Sequence, residues 1–171
     1  AGRLISEFVN DNLSNWYVRL NRKRFWGGGM TQDKLSAFQT LYTCLETVAK
    51  LMAPIAPFYA DMLYSDLTEV TGRDNVVSVH LAKFPEYKEE MIDKELEARM
   101  QMAQDVTSMV LALRRKADIK VRQPLYTAWI PITNEDMERR LNAVKHLIEA
   151  EVNVKSLTLM SSNTIGMIIK R

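Results

Sequence analysis

The chain is poor in the residues that usually do chemistry. Its 171 residues include one cysteine, Cys44, and two histidines, His80 and His146. A lone cysteine excludes an internal disulfide and a cysteine-based zinc site, and it fits a reducing, cytoplasmic setting. Neither histidine has the neighbours that a metal site needs, so both read as structural residues. Cys44 falls on an apolar helical stripe, where a small buried hydrophobe is expected and not a nucleophile. Without a positioned histidine or an activated cysteine there is no nucleophile–base pair. The carboxylates crowd into residues 86–97, which read as a solvated helix face. No catalytic residue, cofactor site or metal site is therefore expected in these residues. Long apolar runs are missing too: nothing approaches the roughly 18 residues that a membrane-spanning helix requires. The opening AGRLISEF lacks the hydrophobic region of a signal peptide and enters helical periodicity directly, as a piece of a longer protein would. Three of the six glycines are consecutive, at 27–29, and no Gly-Lys-Ser/Thr follows them. That argues against a phosphate-cradling loop and for a flexible connector.

What is present is apolar surface and unevenly placed charge. An apolar fraction of 47% supports a sizeable core, and the net charge is only +2. Residues 12–32 nevertheless contain four basic side chains (Arg19, Arg22, Lys23, Arg24) and no acid. Residues 114–122 contain five basic side chains against Asp118 alone, and residues 86–97 contain six acids and two lysines. A nucleic acid responds to such local patches and not to the whole-chain balance. In NWYVRLNRKRFWGGG, residues 15–29, Trp16 and Leu20 are four apart, as are Arg19 and Lys23. On a helix this puts an apolar ridge beside a cationic one. The pattern alone leaves two readings open: an ordinary amphipathic surface helix, or a helix that packs on a bundle while touching a phosphate backbone.

The spacing predicts a first helix over residues 3–24, with Ile5, Phe8, Val9, Leu13, Trp16 and Leu20 inward. Thr31 is a candidate N-cap for a second helix, with Asp33 in its first turn. Its apolar stripe is Leu35, Phe38, Leu41, Cys44, Leu45, Val48 and Met52. Pro54 stops it, and Pro57 suits the first turn of a third helix that carries Phe58, Met62, Leu63, Leu67 and Val70 until Gly72. Residues 73–90 read as an ordered connector. A long helix from about Ile92 to Ala117 follows, and the dipole alone would account for basic residues at its C-terminus. Next come a short strand LYTAWI closed by Pro131, a helix capped by Asn134, and a second strand NVKSLTLM, a βαβ-like order. Residues 164–171 could add another strand. The expected fold is mainly α: an antiparallel helical bundle over residues 1–120 and a small α+β subdomain over residues 121–171.

Three motifs taken together, NWYVRLNRKRFWGG, LMAPIAPFYAD and RRKADIKVRQPL, resemble the region after the catalytic domain of isoleucyl-tRNA synthetase, a class I aminoacyl-tRNA synthetase. The likeness covers essentially the whole chain in the family's order. The MAPIAPF turn is shared with valyl-, leucyl- and methionyl-type relatives, and the FWGGG ending looks like the eukaryote-like branch of the isoleucine enzymes, which some bacteria also have. The resemblance implies an anticodon-binding bundle that partners tRNA(Ile) and a monomeric enzyme whose catalytic domain lies elsewhere in the same chain. That complete enzyme would use ATP and Mg²⁺ to attach isoleucine, and would edit mischarged valyl-tRNA in a separate domain. The HIGH and KMSKS signatures of the ATP site are absent from these residues.

Single-stranded loops are read by stacking bases on aromatic or guanidinium planes, with backbone charge supplying affinity. Arg19, Arg22, Lys23 and Arg24 are the expected phosphate contacts. Trp26 is either a stacking platform or a core anchor, and Trp16 is expected in the core. Arg114, Arg115, Lys120 and Arg122 form a second candidate patch, and Gln123 is expected to fix the turn before Pro124. Rival readings are a non-enzymatic helical interaction module, the same domain of a valyl-type relative, and a self-contained enzyme built on Cys44, His80 or His146.

Overall fold

The computed structural model describes residues 1–73, 76–161 and 169–170, the last two by backbone alone. The chain divides into two compact units, Ala1–Lys88 and Glu89–Arg171. In the second unit the long helix Lys94–Lys116 packs against the helix Glu135–Val152.

The first unit is helical. Helix α1 (Gly2–Glu7) continues into a π-helical segment, Phe8–Val18, then turns at Asn21 and ends in the short helix α2 (Arg22–Trp26). Two expectations change here. The first helix is not continuous over residues 3–24: Asn21, with φ −89° and ψ 8°, breaks it. The inward stripe is also rearranged. The Arg19 N–H reaches back to Ser14 O, five residues away, and this wider winding carries side chains off a 3.6-residue stripe. Leu13 alone of the six is buried, Trp16 is half-buried, and Phe8 is 37% exposed.

Helix α3 (Gln32–Met52) starts where the cap predicts, with Thr31 Oγ1 accepting from Lys34 N at 3.1 Å. Helix α4 (Pro57–Thr71) begins on Pro57 and ends on Gly72, whose φ of +60° closes the helix in the left-handed conformation. The face that α4 buries is not the expected one. Ala60, Tyr64 and Thr68 face the core, while Phe58 is 91% and Val70 86% exposed. Small residues decide this, because Ala49, Ala53 and Ala60 let the backbones close around Tyr64 and Val79. Val79 comes from the connector, held by Asp61: its Oδ1 accepts from Ser78 Oγ at 2.7 Å and from Val79 N at 2.9 Å. Those two donors hold the Asp61 carboxyl below the usual carboxylate range.

The second unit is a βαβ unit with an additional helix, as the spacing of its elements implied. Helix α5 (Lys94–Lys116) is capped by Asp93, and β1 (Leu125–Ile132) follows. Helix α6 (Glu135–Val152) is capped by Asn134, with Met137 N donating to Oδ1 at 2.8 Å. Strand β2 (Val154–Ser161) returns parallel to β1, as expected for strands joined by a helical crossover. Of the strand expected at 164–171, Ile169–Lys170 (β3) pairs antiparallel with Thr127 and Ala128, giving the order β2-β1-β3; the rest of it lies outside the described residues. The strand LYTAWI runs on through Pro131, which does not close it. Proline is tolerated there because it falls beyond the described rungs of β3. Val106 and Val110 of α5, Leu141, Val144, Ile148 and Val152 of α6, and Leu125, Ile130 and Leu157 of the sheet make the core. Glu95 ties the two helices by ion pairs to Arg139 (3.0 Å) and Arg140 (3.2 Å). Among the described residues no helix is long and apolar enough to cross a membrane.

Candidate nucleic-acid interface

Phe25 anchors residues 15–29. It is 9% exposed, and its ring centroid lies 6.2 Å from Tyr17, 5.0 Å from Phe38 and 6.3 Å from Trp26. Polar contacts lock the same corner. The Tyr17 hydroxyl donates to Ala37 O at 3.0 Å, and Asn21 Nδ2 donates to Tyr17 O at 2.8 Å. Arg24 donates through Nε and Nη2 to the Asp33 carboxylate at 2.7 and 2.6 Å, and through Nη1 to Asn21 Oδ1 at 2.6 Å. Lys34 Nζ donates to Gly27 O at 2.7 Å.

The glycines are part of this lock and not merely a connector. A Cβ on Gly27 would stand 2.8 Å from Lys23 O, and Gly29 has a φ of +74°. Gly28 has open space around it.

These contacts sort the expected RNA contacts. Arg19, Arg22 and Lys23 are exposed, and Arg22 carries its guanidinium 5.8 Å from the Trp26 ring centroid. Trp26 is 71% exposed, which removes the core-anchor reading. Arg24 departs from its expected place. Its fork is taken up by Asp33 and Asn21, so in the structure it tethers α2 to the start of α3. An exposed indole edged by a guanidinium, with two more cations nearby, can stack a base and neutralise its backbone. Phe25, Asn21, Asp33 and Lys34 were not singled out from the sequence as partners of this patch. Their contacts join two helices across a turn and leave no periodic signal.

The second basic stretch also divides. Arg115, Lys116, Lys120 and Arg122 are exposed. Arg114 is fully buried, and its Nη2 donates to Lys120 O at 2.7 Å, Val121 O at 3.1 Å and Gln123 O. Placing Arg114 at an RNA surface is therefore corrected: a guanidinium enclosed among loop carbonyls has no path to a phosphate. Burial pushes its pKa below the usual arginine value. Gln123 serves the turn through its backbone, with its N–H donating to Lys120 O at 3.0 Å. His80 and His146 are exposed, and burial pushes the half-buried Cys44 thiol up, away from nucleophile chemistry. Among the described residues no group of three or more His, Cys, Asp or Glu could hold a metal ion.

Comparison with known proteins fits this geometry. The chain is similar to the isoleucine–tRNA ligase of Bacteroides fragilis, 75% identical over all 171 residues, which cover 15% of that protein. It is 58% identical over 171 residues to the isoleucine–tRNA ligase of Porphyromonas gingivalis, where it covers 14%. It is 41% identical over 164 residues (96% of this chain) to that of Dehalococcoides mccartyi, where it covers 16%. The chain thus spans about 15% of the length of these curated relatives. These relatives are bacterial, and they lend no support to the eukaryote-like affiliation expected from the FWGGG ending. The model of the family described as "Anticodon-binding domain of tRNA ligase" matches residues 1–129. With three-quarters of its length inside that match, the chain belongs to the anticodon-binding domain family of tRNA ligases.

Proposed function

We propose that this chain is the anticodon stem-loop binding module of an isoleucine–tRNA ligase, specific for tRNA(Ile) and working in the cytoplasm as part of a monomeric enzyme. One observation carries the reading: an exposed Trp26 edged by Arg22 and accompanied by Arg19 and Lys23, on a short helix locked to α3. Such a platform suits single-stranded RNA, whose bases stack while its phosphates meet fixed cations. The identity to isoleucine–tRNA ligases supports the choice of amino acid over a valyl-type relative. ATP, Mg²⁺ and the acylation site belong to the missing catalytic domain of the same chain, which is also the proposed cover for the exposed Phe58, Tyr59 and Met62 of α4. The functional bundle takes in residues 1–120, with the α+β subdomain after it. Arg115, Lys120 and Arg122 form the second contact.

The test is titration of tRNA(Ile) and an anticodon-swapped version over a salt series. Binding should favour the cognate tRNA and weaken by about 0.7–0.9 log units per contacted phosphate for each tenfold rise in salt. Replacing Trp26 by alanine should cost about 1–3 kcal/mol of affinity, since base–aromatic stacking is worth that much per base. Equal affinity for both RNAs, or no change after Arg19→Ala, Arg22→Ala and Lys23→Ala together, would remove the reading. Binding that ignores RNA and survives high salt would favour a helical protein-interaction module instead.

A further inference from the structure

We infer that Arg114 is a positioning residue, which shapes residues 118–123 into a preformed cationic knuckle for a phosphate backbone. The inference rests on the RNA-binding reading above. A single guanidinium nitrogen collects three carbonyls of one short turn, those of Lys120, Val121 and Gln123. The same turn is held from a second side, where Asn153 Nδ2 donates to Val121 O at 2.9 Å and Leu125 N donates to Asn153 O at 3.1 Å. Asp118, with φ +53°, reverses the chain, and Ile119 plugs the inside of the turn at 9% exposure, its N–H on Arg114 O at 2.9 Å.

With the carbonyls and Ile119 turned inward, the charged side chains have only the outside left. Lys120 and Arg122 project there, and Arg115 and Lys116 are exposed on the last turn of α5. The inward carbonyls also keep their negative ends away from that surface. Asp118 is the one acid between residues 114 and 122.

Closing a helix does not require this arrangement. A glycine could end α5, and a surface arginine could serve its dipole. A buried guanidinium instead carries a desolvation cost, and here its Nε and Nη1 have no hydrogen-bond partner among the described residues. What arginine adds is a rigid planar end group that sets Nη2 at one point among the three carbonyls, a reach and position that a lysine ammonium on a flexible stem does not reproduce. The arrangement makes sense where the shape of the turn itself is needed. A rigid turn presents its cations without the ordering cost that a floppy loop incurs on binding.

The experiment is a salt series of binding by the intact chain to an unmodified tRNA(Ile) transcript. Lys120→Ala with Arg122→Ala should weaken binding and lower the slope of log K against log salt by about 1.4–1.8, the share of two phosphates. Arg114→Lys keeps the charge, yet it should bring much of the same loss together with faster amide exchange across residues 118–123. Added to the Lys120/Arg122 pair, it should bring little further loss, a non-additivity that a merely stabilising residue would not show. Should Arg114→Lys fail to fold, Asn153→Gly carries the test. It tolerates the φ of +52° and removes the second clamp, so it should give an intermediate loss. Unchanged affinity and slope in the Lys120/Arg122 pair would overturn the knuckle. So would Arg114→Lys or Asn153→Gly that speeds exchange at the turn and binds as well as the unaltered chain. If Arg22→Ala with Lys23→Ala loses binding while the Lys120/Arg122 pair does not, the functional reading stands and the knuckle falls. No salt-dependent binding by the unaltered chain overturns both.

Discussion

Arg24 offers the sharpest test of how the structure divides the basic cluster. In sequence it is one of three consecutive basic residues; in the fold its guanidinium spans Asn21 and Asp33 while Arg22 and Lys23 stay exposed. Arg24→Ala removes a two-pronged ion pair whose side chains are 36% and 69% exposed. At that exposure solvent screens the pair heavily, so the tether is worth about 1 kcal/mol and not the several that a buried pair could involve. For a chain of this size that lowers Tm by roughly 2–4 °C. Arg22→Ala should do the reverse. It removes a group that no carboxylate holds among the described residues, leaving Tm within a degree or so while lowering the salt slope of tRNA binding by roughly 0.7–0.9. Thermal unfolding followed by circular dichroism and a salt-dependent binding titration read the two effects separately. The reasoning fails if Arg24→Ala leaves Tm alone and lowers the salt slope as Arg22→Ala does, because Arg24 would then be bound to RNA and not to Asp33.

Three further outcomes follow from the geometry. In urea unfolding, Gly27→Ala should cost about 1–3 kcal/mol because its Cβ meets a backbone oxygen, and Gly29→Ala about 1–2 kcal/mol for its left-handed φ. Gly28→Ala, in open space, should be neutral or slightly stabilising. The Asp61 carboxyl is held low by Ser78 and Val79, so its contribution is complete at and above the ordinary carboxylate pKa and is lost as pH falls through the lowered folded value. Asp61→Asn should therefore flatten the acid limb of stability against pH, and an unchanged limb would refute the role. Ile130→Ala, at a fully buried point of β1, should destabilise the second unit by about 2–5 kcal/mol in the same urea assay.

Much of the fold is legible in the chain because caps and periodicity are local. Thr31, Pro57, Gly72, Asn134 and the alternation of α6 each act within a turn or two, and the elements form where these residues put them. The βαβ order follows from the same local signals. The buried face of α4 is not legible: the apolar spacing of Phe58, Met62 and Val70 looks like a core stripe, while tight approach favours Ala60 and Tyr64. The roles of Arg24 and Arg114 depend on partners nine and up to nine residues away across turns, where no repeat records them.

The sequence by itself therefore determined that the chain is helical with a small α/β unit and that its positive charge is concentrated in two short stretches. Those properties depend on composition and near neighbours. Only the tertiary structure decided which of nine candidate residues reach the surface. Arg19, Arg22, Lys23, Trp26, Arg115, Lys120 and Arg122 do, whereas Arg24 is half-buried on Asp33 and Arg114 is enclosed by the carbonyls of its turn. The physical reason is that a guanidinium satisfies a carboxylate, a loop carbonyl or a phosphate by the same chemistry, and only the folded chain fixes which of them is within reach.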